Sequence, residues 1–146
     1  MIEIIAAISQ NNCIGKQGKI PWHISEDLKR VKQYTTGKVV VMGRHTWESI
    51  PQKFRPLSDR VNVIISSREN LELPPNVECF TSIDEALRAH ASETIIGFGG
   101  QRIYESLIDQ ADTLYITHVP VMIEDGDAFF PQIDPLIWRE HSRETI

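Results

Sequence analysis

Asp27 is the residue whose type and position most suggest chemistry, because it follows a polar loop and opens a predicted helix. Leu28 and Val31 share its helical face, so the carboxylate can point into an apolar cleft. There it can accept two parallel hydrogen bonds from an amidine-like ring edge, which fixes the orientation of the ring. The alternative is an acid that only favours the helix dipole, and residue type alone leaves both interpretations open.

Three further segments join the end of an apolar run to glycine, hydroxyl or basic residues. They are residues 43–50, 66–68 and 95–104. Free N–H groups at a helix start bind phosphate, arginine adds charge, and adjacent glycines allow the backbone to approach a pyrophosphate. A solvated helix start and plain turns are the alternatives. Because the third glycine of G-x-G-x-x-G is missing, a Rossmann dinucleotide fingerprint is not supported.

Apolar runs rich in β-branched residues predict the buried strands that must position these groups. The runs cover residues 2–8, 39–42, 61–65, 94–98 and 114–119. Helical signals lie between them, namely Ser25 before two acids, a capping box from Ser82 to Glu85, and Gly100. The alternation indicates an α/β layer fold with a largely parallel central sheet, whose ligands sit at the carboxyl ends of the strands.

Two long polar loops, residues 10–24 and 120–131, are expected to serve function at that edge. The remaining composition favours one compact domain over residues 1–146, since 41% of the residues are hydrophobic, 24% are charged and no repeat or linker divides them. The net charge of −5 argues against nucleic-acid and anionic-lipid partners.

The cysteines and the first residues of the chain indicate in which cellular compartment the protein is expected. Cys13 and Cys79 form no Cys-x-x-Cys pair and the histidines lack zinc spacing, so reduced thiols and no metal are expected. The apolar start carries Glu3, has no basic leader and is too short to span a bilayer. These features predict a cytoplasmic protein without a membrane partner.

Taken together, the motifs resemble the chromosomal type of dihydrofolate reductase in order and spacing across nearly the whole chain. The segments that carry the resemblance are IIAAIS, IGKQGKIPW, EDL, VVMGRHTWESIP, RPLSDR, GGQRIY, LYITHV and GDAFFP. The resemblance implies NADPH-dependent reduction of 7,8-dihydrofolate to 5,6,7,8-tetrahydrofolate, with hydride transfer to C6 and protonation at N5, in support of one-carbon and thymidylate metabolism. It also implies a monomer that binds dihydrofolate and antifolate inhibitors and needs no metal.

The resemblance also implies roles for individual residues. Asp27 and Thr117 would anchor the pteridine, Trp22 would help to hold ordered water, and Arg60 would hold the glutamate carboxylate of the folate tail. The pteridine pocket would be walled by Ile5, Ala6, Ala7, Leu28, Val31, Ile50, Leu57, Phe98 and Tyr104. NADPH would be held by Ala7, Ile14, Gly15, Ile20, Gly43, Arg44, His45, Thr46, Ser66, Ser67, Arg68, Gly99, Gly100, Gln101, Arg102 and Ile103.

In the implied reaction the cofactor supplies the redox chemistry and the protein supplies orientation. Asp27 would lie on the wrong side of the ring to protonate N5, so water would deliver the proton while Asp27 biases the pterin toward its reactive form. Arg44 and Arg68 would favour the 2′-phosphate of NADPH, and residues 10–24 would close over the nicotinamide. The family also has a cis peptide between the two glycines at 99 and 100.

The chain departs from the family pattern in its side chains and at its end. Val31 stands where an aromatic residue is usual, Gln101 and Asp59 replace small residues, and Asp59 adds negative charge that is expected to weaken capture of the folate tail by Arg60. The family continues past residue 138 into a hairpin that completes the sheet. The expected fold is therefore a single α/β domain with a mostly parallel sheet flanked by helices and with the final antiparallel hairpin absent or truncated.

Two other functions remain open at this point. One is a reductase on the same fold that acts on a pyrimidine of riboflavin synthesis, although Asp27, Trp22 and Arg60 together favour folate. The other is a non-catalytic folate- or nucleotide-binding module that is inactive without its last strand. Loss of NADPH absorbance with dihydrofolate, blocked by an antifolate, separates the three.

Overall fold

The computed structural model of the protein describes residues 1–15, 25–67 and 71–143, and for residues 25–28 it describes only the backbone. The strands are β1 (Ile2–Ile8), β2 (Cys13–Gly15), β3 (Val39–Gly43), β4 (Val61–Ile65), β5 (Val77–Phe80), β6 (Ile95–Gly99), β7 (Thr113–His118) and β8 (Ala128–Phe129). The helices are α1 (Ser25–Thr35), α2 (Arg44–Ser49), α3 (Ile83–Ala89) and α4 (Gln101–Leu107). A short 3₁₀ turn covers Gln52–Phe54.

Six strands form the central sheet in the order β5-β4-β3-β6-β1-β7, and every pair in it is parallel. The inner strands are largely apolar because both of their faces are covered, and residues 39–42 of β3 are all buried. This arrangement confirms the predicted α/β fold with a parallel sheet. The five predicted strands agree with the structure to within one residue at each end.

Two apolar layers cover the two faces of the sheet. On one face Ile4 and Val41 pack with Leu107 of α4 and Ala86 of α3. On the other face Ile5 and its neighbours pack with residues of α1 and with Trp47 of α2. Alternate residues of β1 therefore enter different layers, as the pleat of a strand requires. None of the described helices is long and apolar enough to cross a membrane.

The helix signals were also predictive. The Ser82 hydroxyl accepts a hydrogen bond from the Glu85 backbone N–H at 3.3 Å and so caps α3. The reciprocal bond of a capping box is replaced, because the Glu85 carboxylate accepts from the Thr81 hydroxyl at 3.1 Å instead. The sequence therefore located the start of α3 correctly but not all of its hydrogen bonds.

The prediction of two irregular loops was wrong in part. Residues 10–24 and 120–131 contain β2 and β8, which pair antiparallel with Cys13 opposite Phe129 and Gly15 opposite Ala128. Strands of three and two residues are too short to show an alternating pattern in the sequence. Gly126 packs directly on Cys13, where no Cβ would fit.

The strands at the two edges of the sheet differ from the inner ones. No separate apolar run marks β5, because its four residues are half-buried or exposed and include Glu78. At the other edge, β7 pairs only with β1 among the described residues. The part of the chain described after Phe129 contains no strand, so the family's closing hairpin has no counterpart there.

Candidate active site

The predicted phosphate-binding segments meet at the carboxyl edge of the sheet. Gly43 at the end of β3 pairs with Ile65 at the end of β4, and Met42 pairs with Gly99 at the end of β6. Because these neighbouring strands are parallel, the residues that follow them leave the sheet at the same edge. Residues 43–46, 66–67 and 99–103, which are distant in sequence, therefore lie side by side in the fold.

The glycine pair is the tightest point of this edge. Its peptide bond is cis, as the family resemblance implied, and Gly99 has φ of +114°. A Cβ on Gly99 would lie 3.1 Å from the Tyr104 hydroxyl and 3.5 Å from the Thr46 hydroxyl. Only glycine fits both the backbone conformation and the space, so the main chain is bare where it reaches the edge.

The two helices that begin at this edge differ in what they offer. Neither the Gly43 cap of α2 nor the Gly100 cap of α4 has a side-chain capping bond. The Arg44 guanidinium is half-buried and donates to the Glu48 carboxylate at 2.8 Å, one turn along α2. His45 is exposed. Basic charge is therefore held beside the start of α2 by a pair that is partly open to solvent.

Two predicted cofactor residues have side chains that are used within the protein. The Gln101 side-chain oxygen accepts a hydrogen bond from the Phe129 backbone N–H at 2.8 Å, which ties β8 to the start of α4. The Ile103 side chain is 6% exposed and belongs to the core under α4. These residues can face a ligand at the edge mainly through their main chain. Arg102, by contrast, is exposed.

An apolar layer, which the predicted pteridine cleft would adjoin, lies on the α1 face of the sheet. The predicted wall residues that pack together there are Ile5, Val31, Ile50, Leu57 and Phe98. Ala7 and Thr117 are register partners on β1 and β7, two residues beyond the Ile5–Tyr115 pair, so they continue the same face toward the carboxyl edge. The structure thus brings most of the predicted pteridine wall together on one side of the sheet.

Ala6 and Tyr104 stand apart from the other predicted wall residues. Both side chains belong to the core on the opposite face, where the Tyr104 ring packs on Phe130 with centroids 4.8 Å apart. The Tyr104 hydroxyl nevertheless donates to the Ile5 carbonyl at 2.9 Å. Tyr104 therefore supports β1 from the face opposite the predicted cleft. Only the main chain of Ala6 can contribute to that cleft.

Arg60 lies beside the C-terminal end of α1. Its Nε donates to the Ser58 carbonyl at 2.8 Å, and one terminal nitrogen donates to the buried Thr35 hydroxyl at 2.9 Å. Burial lowers the pKa of the Arg60 guanidinium, and the nearby Asp59 carboxylate acts in the opposite direction. Asp59 is exposed with φ of +58°, and the described residues include no ion pair between it and Arg60.

Several predicted residues cannot be placed. Ile20, Trp22 and Arg68 lie outside the described residues, as do the side chains of Asp27 and Leu28. The backbone at Asp27 is in the first turn of α1, as predicted. Ile14 and Gly15 lie in β2, Ser66 is half-buried and Ser67 is exposed.

Sequence reasoning missed one buried polar cluster, which consists of Glu3, Tyr34, Lys38 and Tyr115. The Glu3 carboxylate accepts hydrogen bonds from the Lys38 amine and, at 3.0 Å, from the Tyr115 hydroxyl. Burial, together with the bond to Glu3, raises the pKa of Tyr115 to about 12. A glutamate inside an apolar strand was the available signal, because a buried charge needs partners.

Among the described residues, no group of three His, Cys, Asp or Glu side chains is placed to hold a metal ion. A surface groove of about 790 Å³ lies beside the cleft and is lined by Trp47, Lys53, Arg55 and Leu73, among others. A smaller depression of about 280 Å³ at Met1 opens elsewhere on the surface. Neither is lined by the predicted site residues, whose segments converge instead at the carboxyl edge of the sheet.

Comparison with known proteins gives one consistent result. A sequence profile described as "Dihydrofolate reductase" matches residues 1–146. A dihydrofolate reductase of Neisseria gonorrhoeae is 46% identical over 144 residues, covering 97% of this chain and 86% of the relative. The dihydrofolate reductase type 3 of Salmonella typhimurium is 41% identical over 147 residues, covering 99% of this chain and 87% of the relative. The dihydrofolate reductase HdrB of Haloferax volcanii is 38% identical over 149 residues, covering 97% and 76%.

Proposed function

The chain belongs to the dihydrofolate reductase family, and from this premise we propose that it reduces 7,8-dihydrofolate to 5,6,7,8-tetrahydrofolate with NADPH as the hydride donor. The observation that carries the proposal is the junction of two features at one sheet edge. Phe98 belongs to the apolar layer on the α1 face, and it directly precedes the bare glycine pair at the end of β6. A flat pterin and a phosphate-bearing cofactor can therefore meet there.

In this proposal the pterin is held by two polar residues, one on α1 and one on β7. Asp27 would accept two hydrogen bonds from the pterin ring edge from the first turn of α1, and Thr117 of β7 would support the same edge. The apolar wall excludes water and so strengthens these bonds. The wall would be formed by Ile5, Ala6, Ala7, Leu28, Val31, Ile50, Leu57, Phe98 and Tyr104, with Ala6 contributing main chain and Tyr104 acting from behind β1.

Arg60 would bind the glutamate carboxylate of the folate tail. Its Nε and one terminal nitrogen are held by Ser58 and Thr35, which fixes the plane of the guanidinium. The second terminal nitrogen has no hydrogen bond within the described part of the chain and can donate to a carboxylate. A fixed guanidinium loses less conformational freedom on binding than a mobile one.

The residues at the glycine pair fit a dinucleotide. The bare main chain at Gly99 and Gly100 permits the close approach that a pyrophosphate needs, and neither adjoining helix start has a side-chain cap. Family membership implies a nicotinamide cofactor. We propose NADPH, because the i,i+4 pair of Arg44 with Glu48 is partly exposed and the contact of Arg44 with His45 is long, at 3.4 Å, so a 2′-phosphate can compete for the guanidinium. Arg68 would add a second cation.

When bound, the cofactor supplies a hydride, and the protein supplies position and protons. Asp27 polarises the pterin toward the form that accepts hydride at C6, while water held with the help of Trp22 delivers the proton to N5. Residues 10–24, of which 16–24 lie outside the described part of the chain, would close over the reacting atoms and exclude bulk water. We further propose that the protein acts as a monomer in the cytoplasm and that antifolates occupy the same cleft.

The substitution Asp27→Asn tests the proposal. It keeps the size of the side chain but removes its charge, so turnover of dihydrofolate should fall by about 100-fold or more. The affinity for NADPH, titrated by fluorescence, should stay within about twofold, because the cofactor segments lie on β3, β4 and β6. Unchanged turnover would remove Asp27 from the mechanism.

Asp84→Asn is the matched control. Asp84 also lies in the first turn of a helix, α3, and is exposed. Loss of a first-turn acid costs a few tenths of a kcal/mol of helix stability, about the same in both variants. A turnover loss specific to Asp27→Asn therefore separates a role in the cleft from a favourable interaction with the helix dipole.

A further inference from the structure

The four-residue cluster of Glu3, Tyr34, Lys38 and Tyr115 links three elements around the cleft. Glu3 is on β1 and only 4% of its surface is exposed. Its two carboxylate oxygens are divided between partners, one accepting from Lys38 just before β3 and the other from the Tyr115 hydroxyl on β7. A buried carboxylate that loses a partner is strongly destabilised, so the cluster has one favourable arrangement.

An aromatic stack extends this cluster to α1. The rings of Tyr34 and Tyr115 have centroids 4.3 Å apart and an interplanar angle of 19°. The Lys38 amine lies 5.3 Å from the centroid of the Tyr115 ring. Tyr115 is thus held on one side by α1 and at its hydroxyl by β1. The stack fixes how closely α1 approaches the sheet, since each ring is in contact with the other.

The same elements carry the proposed pterin anchors. Thr117 is two residues beyond Tyr115 on the same face of β7, about 6.6 Å away along the strand. Asp27 is seven residues before Tyr34 in α1, which corresponds to two turns of helix. The cluster therefore lies at the inner end of the space between α1 and β7, and the anchors lie at its outer end.

We propose that Tyr34, Tyr115 and Glu3 are positioning residues that set the separation between α1 and β7 and thereby the distance between Asp27 and Thr117 around the pterin. The inference rests on the proposed function for the roles of those two anchors. The three residues touch neither substrate nor cofactor; they act by fixing the helix against the sheet. A change in this separation weakens pterin binding and leaves the cofactor segments on β3, β4 and β6 in place.

The decisive comparison is Tyr34→Leu against Tyr34→Phe. Leucine removes the stack, and the dissociation constant of methotrexate and the KM for dihydrofolate should both rise by about tenfold. Phenylalanine keeps the stack and should leave both within about twofold of the original protein. The dissociation constant of NADPH should change by less than about twofold in both variants. An unchanged methotrexate affinity in Tyr34→Leu would overturn the proposal, and so would an equal loss of NADPH affinity.

Two further variants serve as a control for lost stability and as a second test of the positioning role. His90→Gln breaks a polar contact between α3 and β5, away from α1, and should lower stability while leaving methotrexate affinity unchanged. If Tyr34→Leu fails to fold, Tyr115→Phe carries the test, because it deletes only the bond to Glu3. It should raise the methotrexate dissociation constant by about threefold, and no change would refute the inference.

Methotrexate binding is followed by tryptophan fluorescence and needs no turnover. A wild-type protein that binds methotrexate but does not oxidise NADPH with dihydrofolate would therefore contradict the proposed function alone. The positioning role would still be decided by the two Tyr34 variants.

Discussion

Gly99→Ala perturbs the carboxyl edge at the point where the structure leaves least room. Gly99 has φ of +114°, which L-residues rarely adopt, and a Cβ there would lie 3.1 Å from the Tyr104 hydroxyl. That hydroxyl is itself bonded to the Ile5 carbonyl on β1. The substitution therefore strains the backbone and also displaces a hydroxyl that supports the strand under the cleft.

Gly37→Ala separates these two effects. Gly37 has φ of +80°, but nothing lies within 4 Å of a Cβ built there. Its substitution costs only the backbone term, about 1–2 kcal/mol of unfolding free energy. Gly99→Ala should cost that amount plus about 1 kcal/mol for the disturbed Tyr104 hydrogen bond, or about 2–3 kcal/mol in total.

The measurements are urea unfolding followed by circular dichroism and steady-state kinetics with NADPH and dihydrofolate. Because the crowded main chain must shift by a few tenths of an ångström, kcat/KM for NADPH should fall by about tenfold or more in Gly99→Ala. Gly37→Ala should keep the kinetic constants of the original protein. Equal stability losses in the two variants, or normal kinetics in Gly99→Ala, would refute the reasoning about the glycine pair.

Two further predictions concern charge. His90 is bonded through both ring nitrogens; burial alone lowers its pKa, but the two glutamate partners outweigh burial and raise it. The stabilisation by these two bonds is therefore full below the ordinary histidine pKa of about 6.5 and is lost as pH rises through the raised pKa. Urea unfolding from pH 6 to 9 should show a loss of about 1–2 kcal/mol in unfolding free energy that His90→Gln lacks. Parallel pH curves for the two proteins would contradict this prediction. In Asp59→Asn the new asparagine can adopt the φ of +58° found at this position. The substitution should lower the KM for dihydrofolate by less than about threefold and leave unchanged the KM for an analogue without the glutamate. Equal changes in the two KM values would exclude an effect through Arg60.

The inner strands were predictable because burial on both faces leaves a clear mark in the sequence. Residues 39–42 form an unbroken β-branched and apolar run, residues 61–65 are interrupted only by Asn62, and both became inner strands. Edge and miniature strands carry no such mark. Residues 77–80 include Glu78 because the strand is partly solvated, and β2 and β8 owe their pairing to each other rather than to their own composition.

The site was predictable as a set of segments and less so as a set of side chains. Parallel strands had to bring residues 43–46 and 99–103 to one edge, and they do so. The alternation of side chains along a strand already implies that Ala6 faces away from Ile5 and Ala7. The family resemblance nevertheless assigned all three residues to the pteridine wall. No local sequence pattern predicts that the Gln101 side chain bonds within the protein, because its partner Phe129 is 28 residues away.

β1 is the strand that lies between the two halves of the site and contacts both. The Tyr104 hydroxyl, crowded against the glycine pair, is bonded to the Ile5 carbonyl, and Ile5 is the register partner of Tyr115. Tyr115 in turn stacks on α1 through Tyr34. Cofactor edge and substrate helix are therefore joined by consecutive contacts through one buried strand.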